Sequence, residues 1–489
     1  MDYSSTREKL ATNAVLLISS DISRMALGLL LILTIIKLGG LGIYGVYKAL
    51  ISFSSLLLVF VDLGLQNSLL KFLGEKDKKI QSKYLTAALV IRLLISHIIV
   101  FSLIFLDFRV ISISSILGLR REYLIISSFF TVFSVLPLFK AYYTAQLSVN
   151  TYFKASLLGN VMILVLDILT LLAGLGVLGL LVSYLIGNMF SIFYLLLSAF
   201  RSGYRVYLPS LDDVLSLLSL GISTWLPSIL KIIGRYSAEL FIFTFAGAVQ
   251  TGEYSVAFTV MTVSTIFLTP VAQLLIPNLS RYPEKERNKV IQEVITLNYL
   301  LLIPIAGIIF LLSDNIMKLV GATNGIILRI LLLSVIFIPL MQGNSIIMIR
   351  KEEKRIILGR GALVNLTRLG LFFSLTPSLG GVGAALSYTT SELLRGPVEI
   401  YLIKRHGVRL NGFKLLLVLL LGMVPPLFVY RYGIVTLPFY VGLLYLTYRS
   451  ILSNREKDLL KWIITTPFKV VLKYLLRYKN NFFTINNNI

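Results

Sequence analysis

The 489-residue sequence has no cysteine and little charge for its length. The lack of cysteine excludes disulfides, thiolate metal sites and a thiol nucleophile. Charged residues make up 14% of the chain, against about 25% in soluble domains. Apolar residues are abundant instead, at 56% with a mean hydropathy of +0.85. This balance excludes an ordinary soluble domain and predicts an integral membrane protein.

The net charge of +23 lies mostly in short polar breaks between apolar runs. These breaks are KFLGEKDKK (71–79), RYPEKERNK (281–289), RKEEKR (350–355) and KRHGVR (404–409). The turns between them, such as 37–42 and 246–252, carry almost no charge. Basic cytoplasmic loops explain this asymmetry better than nucleic-acid binding does. We therefore expect a multi-pass protein of the cell membrane with both termini in the cytoplasm and no nucleic-acid partner.

Apolar runs of about 20 residues, enough to cross a bilayer, recur along the whole chain. Splitting them at the polar breaks gives an all-α protein with about fourteen predicted transmembrane helices. The chain also repeats, since residues 42–49 align with 252–259, and 176–184 align with 380–388. The sequence thus predicts two six-helix bundles in a parallel repeat and two extra helices.

The predicted units are a first bundle (1–200), a cytoplasmic linker (201–213), a second bundle (214–405), helices thirteen and fourteen (406–452) and a tail (453–489). The tail alternates Lys and Arg with Leu, Ile and Trp. It is typical of basic amphipathic helices that lie on a membrane surface and bind anionic headgroups. The alternative is a simple basic anchor without a specific partner.

Three segments resemble a known family. The stretch GGLGIYGVYKALISFSSLLLVFVDLGLQNSLLKFLGE (39–75) resembles the second helix of polysaccharide flippases, which belong to the multidrug/oligosaccharidyl-lipid/polysaccharide exporter superfamily. Residues 245–260 and 174–190 resemble that family's start of helix eight and its turn between helices five and six. The resemblance covers roughly 1–450 and implies two bundles in a V around a central cavity, which opens alternately to each side of the membrane. It also implies cargo in the form of polyprenyl-linked sugars.

A cationic stripe interrupts the seventh predicted helix. Lys231, Arg235 and Glu239 are spaced four residues apart and so lie on one helix face. A charge at a helix centre costs about 2.5–3.5 kcal/mol on insertion scales, and one carboxylate cannot neutralise two cations. Arg and Lys are the side chains that bind phosphate, so the stripe predicts a site for an anionic headgroup. The alternative is internal pairing with Asp62 or Asp21.

The resemblance places helices one, two, seven and eight around the cavity and supplies companions for the stripe. The predicted phosphate-binding residues are Arg24, Lys48, Lys231 and Arg235. The candidates for ion coupling or charge pairing are Asp21, Asp62 and Glu239. Tyr44, Tyr236 and Tyr254 are candidates for stacking on sugar rings, although Tyr near a membrane boundary is commonly an anchor. The position equivalent to Asp62 in the second copy is Ala272, so symmetry assigns Asp62 no role.

The predicted function is a flippase that moves a polyprenyl-phosphate- or pyrophosphate-linked oligosaccharide to the outer leaflet for surface-glycan assembly. Pathway glycosyltransferases or a polymerase are expected partners. The energy source is left open among Na⁺, H⁺ and the membrane potential, and no cofactor, metal or catalytic residue is expected. The alternatives are a cation-coupled multidrug or metabolite exporter and a membrane glycosyltransferase or polymerase. The enzyme is disfavoured because the sequence shows no metal cluster, phosphate loop or nucleophile–base pair, and a helix cap accounts for Asp212 and Asp213.

Overall fold

The computed structural model describes residues 3–73, 77–146, 148–265, 284–323, 325–351 and 354–451. All regular structure within these ranges is helical. The first half contains α1 (Tyr3–Asp62), α2 (Leu65–Phe72), α3 (Lys78–Arg109), α4 (Ile113–Leu117), α5 (Arg121–Ser128), α6 (Leu136–Ala145), α7 (Val149–Leu172), α8 (Gly176–Arg201) and α9 (Leu211–Ser264). The rest contains α10 (Glu284–Leu311), α11 (Ser313–Leu319), α12 (Ile326–Leu333), α13 (Ile338–Lys351), α14 (Lys354–Arg405), α15 (Gly412–Val429) and α16 (Leu437–Ile451). Short 3₁₀ turns at Phe129–Thr131, Ser334–Phe337 and Tyr430–Thr436 join neighbouring helices.

Ten segments of the described chain are long and apolar enough to cross a membrane. This confirms the prediction of an all-α polytopic membrane protein. Four of the ten contain a glycine with positive φ in their interior, at Gly40, Gly247, Gly380 and Gly433. Each of these glycines lies where the sequence predicts a turn between two spans. The total of fourteen spans stays a prediction, and the amphipathic tail lies outside the described residues.

Matching glycine turns occur in the two halves. Gly40 has φ 84° and ψ 165°, and Gly247 has φ 84° and ψ −180°. Only glycine populates this region readily, because a Cβ atom would be strained there. Gly176 and Gly380, which the sequence repeat aligns, have φ values of 52° and 55°. The hairpins of the two halves therefore share turn conformations as well as sequence.

The two halves meet where α1 packs along α9. The Cα of Gly45 lies against the Ala248 carbonyl, and a Cβ at Gly252 would lie 2.6 Å from the Leu41 carbonyl oxygen. These glycines allow the two backbones to touch close to the charge-poor turns. On its other side α9 approaches α14, where a Cβ at Gly234 would lie 2.6 Å from Asn365 Oδ1. Helix α9 thus packs against both α1 and α14.

The start of α9 is fixed by an acidic cap. Ser210 and Asp213 form a capping box, and Lys83 of α3 lies 2.6 Å from the Asp213 carboxylate. Burial raises the pKa of Asp213, but the bonds from Lys83 and Ser210 outweigh burial and hold the pKa below its usual value of 3.8. The predicted capping role is confirmed for Asp213.

Candidate anion-binding site

The cationic stripe lies on the part of α9 that precedes Gly247. Arg235 is exposed, and its guanidinium lies 5.5 Å from the ring centre of Tyr236 and 5.3 Å from that of Phe258. Glu239, one turn further along, is only 7% exposed. The side chain of Lys231 lies outside the described residues, as do those of Asp21 and Arg24. The described part of the stripe therefore pairs an accessible cation with a buried carboxylate.

Glu239 is the centre of a polar cluster between α9 and α1. Its electrostatic neighbours are Lys48 of α1 and Arg235, and Ser52 is its hydrogen-bonding neighbour. One carboxylate oxygen, Oε2, has no hydrogen-bond partner. Tyr44 and Tyr254 are each 1% exposed and are further electrostatic neighbours of the Glu239 carboxylate. The predicted residues Lys48, Arg235 and Glu239 thus lie together, with two tyrosines packed beside them.

The three predicted stacking residues differ in exposure. Tyr236 is partly exposed, next to Arg235. Tyr44 and Tyr254 are buried in the core, and Tyr254 stacks on Phe258 with a centroid distance of 6.0 Å. Only Tyr236 offers an accessible ring in this conformation. Sugar stacking stays a prediction for all three.

A second cationic group lies on α14. Arg368 donates to Ser391 (3.0 Å) and forms an ion pair with Glu392, and Arg395 lies 3.1 Å from the other oxygen of Glu392. The side chains of Arg368, Glu392 and Arg395 are only 5%, 10% and 14% exposed. Glu392 and Arg395 are three residues apart on α14, a spacing that places both on one helix face and allows this pairing. The ion pair between Arg368 and Glu392 was not predicted from the sequence. The two residues meet only because the turn at Gly380 brings the two segments of α14 side by side.

Aromatic rings join the two cationic groups. The Arg368 guanidinium lies 4.2 Å from the ring centre of Tyr388, and Tyr388 meets Phe258 edge to face at 5.2 Å. Arg235 covers Phe258 from the other side. Arg235 and Arg368 therefore belong to one continuous region. Its described charged side chains are Lys48, Arg235, Arg368 and Arg395 against Glu239 and Glu392.

This excess of cations has a chemical consequence. All six charged residues lie in segments long enough to cross a membrane, where an uncompensated charge is costly. Guanidinium groups bind phosphate oxygens bidentately, and an ammonium group binds them as a point charge. The region is therefore suited to an anionic group that enters from water. Within the described residues no group of three or more potential metal ligands occurs.

Asp62 lies elsewhere and is already paired. Its carboxylate is 3.1 Å from Arg92 of α3, which is almost fully buried. Arg92 also donates to the Ser134 hydroxyl at 3.2 Å. The pairing of Asp62 with Lys231 of the stripe stays a prediction, since the Lys231 side chain lies outside the described residues. Asp62 is a charge partner within the first half.

Solved structures share this fold. An inward-closed structure of the lipid II flippase MurJ superposes with a TM-score of 0.72 at 16% identity, covering 91% of this chain and 99% of that one. An inward-facing multidrug resistance MATE family transporter gives 0.59 at 15% identity, covering 81% and 94%. A transporter from Pyrococcus furiosus, described by a reversed polarity of its binding pocket, gives 0.56 at 14% identity, covering 82% and 95%. A search of curated proteins found no match.

The chain therefore defines a multi-pass membrane protein with the fold of the MurJ and MATE transporter structures. A sequence model of the family described as "Polysaccharide biosynthesis protein" matches residues 42–323, more than half of the chain. The chain belongs to this family, and the resemblance seen in the sequence is confirmed.

Proposed function

We propose that this transporter is a flippase that moves a polyprenyl-phosphate- or pyrophosphate-linked oligosaccharide from the inner to the outer leaflet. The observation that carries the proposal is the excess of cations around Arg235 and Arg368, at membrane depth. A lipid-linked sugar has an anionic group between a long apolar tail and a polar glycan. The tail can stay in the bilayer while only the phosphate and the sugar need a polar path.

The geometry suggests how the phosphate is held. Arg235 is the accessible cation and makes the first contact. Lys48 and Arg368 approach from α1 and α14 and are balanced by Glu239 and Glu392 when no ligand is bound. A phosphate competes with these carboxylates for the same cations, so binding exchanges one set of charge-assisted hydrogen bonds for another. Arg24 and Lys231 are further candidates for this contact on the strength of the sequence.

Direction and surroundings complete the proposal. The basic loops face the cytoplasm of the cell membrane, which places both termini there. The bundles 1–200 and 214–405 are the two halves that rock around the site, and the linker 201–213 joins them. Helices thirteen and fourteen and the tail 453–489 are additions, and the tail binds anionic headgroups. Glycosyltransferases or a polymerase of the same pathway supply the cargo and use it afterwards.

A transport assay in liposomes tests the proposal. The purified protein is reconstituted, and fluorescent polyprenyl-pyrophosphate glycan is followed from one leaflet to the other by enzymatic digestion of the outer pool. Arg235→Gln and Arg368→Gln should lower the flipping rate at least tenfold, which corresponds to the loss of about 1.4 kcal/mol of interaction per site. Arg201→Gln, at the exposed end of α8, is the matched control and should leave the rate unchanged.

The same liposomes separate flippase from exporter. An exporter of organic cations requires an excess of carboxylates in the cavity, opposite to what the described side chains offer. Uptake of a cationic dye that persists in the Arg235→Gln variant, with no movement of the glycan lipid in the wild type, would overturn the flippase assignment.

A further inference from the structure

The junction between α1 and α2 has an unusual backbone. Helix α1 ends at Asp62 and α2 begins at Leu65, and the two residues between them, Leu63 and Gly64, have φ values of 40° and 69°. Among the residues that the structure describes, Leu63 is the only non-glycine with positive φ. A side chain in that region is strained and persists only where its surroundings hold it. The short helix α2 (Leu65–Phe72) connects the junction to the basic loop 71–79, so the junction belongs to the basic-loop end of the molecule.

The surroundings that hold it come partly from the opposite half. The Trp225 indole N–H of α9 donates to the Val59 carbonyl at 2.6 Å. Val59 lies three residues before the end of α1 at Asp62, so this hydrogen bond joins α9 to the last turn of α1. Gly221, one turn before Trp225, lies so close to the Leu63 carbonyl that a Cβ atom would overlap it. One face of α9 therefore binds the end of α1 and fits against the strained turn.

The first half holds the junction from the other side. Asp62 is tied to Arg92 of α3 at 3.1 Å, and the Arg92 side chain is only 3% exposed. Arg92 is in turn bound to Ser134. The position of Asp62 is thus fixed within its own half, while the conformation of Leu63 is fixed across the interface. When the halves move apart, the contacts of α9 with Leu63 change, whereas the ion pair of Asp62 with Arg92 does not.

We propose that this junction is a strained latch at the basic-loop end. Docking of Trp225 and Gly221 holds Leu63 in its left-handed conformation. When α9 withdraws, Leu63 can resume helical geometry, and α1 and α2 join into one helix. The strain is present only while this end is closed, so it shifts the equilibrium toward opening. The inference requires only a transporter with two halves and does not depend on its cargo.

The size of this effect follows from the strain. A side chain held in the left-handed region costs about 1–3 kcal/mol, which at 1.4 kcal/mol per factor of ten is about a 5- to 140-fold change in the open–closed ratio. Removing the strain by Leu63→Gly should shift the ratio toward closed by that factor. Removing the indole donor by Trp225→Phe should shift the ratio toward open, since the ring remains but the hydrogen bond to the Val59 carbonyl is lost.

The test uses spin labels and electron–electron distance measurements in lipid nanodiscs. The chain has no cysteine, so Asn67→Cys on α2 and Ser219→Cys on α9, both exposed, give two labels in the full-length protein. The control is Leu70→Gly, an exposed site on α2 with no positive φ, which should leave the populations unchanged.

The expected result is opposite shifts, with more of the short distance in Leu63→Gly and more of the long distance in Trp225→Phe. Unchanged distributions in both variants, or a shift of Leu63→Gly toward the long distance, would overturn the latch. Either result leaves the flippase proposal intact, because the measurement needs no substrate.

Discussion

Glu392 offers the sharpest test of the charged region, because one carboxylate serves two buried guanidiniums. Its two oxygens are divided between Arg368 and Arg395. Glu392→Gln keeps the size of the side chain and removes its charge. The two cations, 5% and 14% exposed, are then left together without a counterion. Removing one partner of a buried pair costs about 3–5 kcal/mol of unfolding free energy.

The matched variants make this expectation specific. Arg395→Gln leaves a neutral pair of Arg368 and Glu392, so its loss of stability should be clearly smaller than that of Glu392→Gln. Glu122→Gln removes the same charge from an exposed ion pair, in which Arg120 and Glu122 are 70% and 64% exposed and 3.7 Å apart. Exposed pairs of this kind contribute little, so Glu122→Gln should not differ measurably from the wild type.

The assay is thermal unfolding in detergent, with and without inorganic pyrophosphate. The Glu392→Gln variant should melt well below the wild type and should regain more stability on addition of pyrophosphate, because the anion takes the place of the missing carboxylate. Equal melting temperatures for Glu392→Gln and Glu122→Gln would show that the two arginines are solvated. That result would refute the idea of a buried cationic region on α14.

Three further predictions use the same thermal assay. Asp213→Asn should lower the free energy of unfolding by about 1 kcal/mol at pH 7. Because the folded pKa of Asp213 lies below 3.8, the difference in stability between variant and wild type should shrink as the pH falls below that value. A difference that does not change with pH would contradict the cap. Asp167→Asn should raise the melting temperature, since this carboxylate is only 1% exposed and its hydrogen-bonding neighbour among the described residues is the single hydroxyl of Ser183; a clear drop would show that the charge is compensated. Gly247→Ala should destabilise the protein by about 1–3 kcal/mol, because the alanine would be held at positive φ. The control Gly28→Ala should not, because Gly28 lies in helical backbone with open space around it. Equal effects of the two substitutions would argue against the glycine turn.

Much of the fold could be predicted from the sequence because its signals are local. Apolar runs set the spans, and charge-poor glycine turns set the hairpins at Gly40, Gly247 and Gly380. The helical spacing of Arg235 and Glu239 placed both on one face, and Asp212 with Asp213 predicted a helix cap. Each of these inferences uses residues within a few turns of one another. None of these inferences requires knowledge of how distant segments pack against one another.

The parts that sequence reasoning missed are the long-range contacts. Arg368 joins Glu392 only because the turn at Gly380 folds α14 back on itself. Asp62 pairs with Arg92, although nothing in the spacing of the two residues links α1 to α3. The burial of Tyr44 also depends on how closely α9 approaches α1. Such partners are decided by the packing of whole helices, and the sequence pattern of one helix does not contain that information.

The origin of the charges in the site has a mechanical consequence. The halves share turn conformations at Gly176 and Gly380, but they do not share charges. Arg235, Glu239, Arg368, Glu392 and Arg395 all belong to α9 and α14, and Lys48 of α1 is the described cation that comes from the first half. When the halves separate, the groups on α9 and α14 can move as a unit, whereas Lys48 leaves with α1. We therefore expect the affinity of the proposed site for an anion to depend on how closely the halves approach, so that a phosphate would favour the conformation that brings Lys48 to Glu239. Coupling of this kind needs no symmetry between the halves, and under the proposed function it would let a duplicated fold hold its cargo mainly on one side.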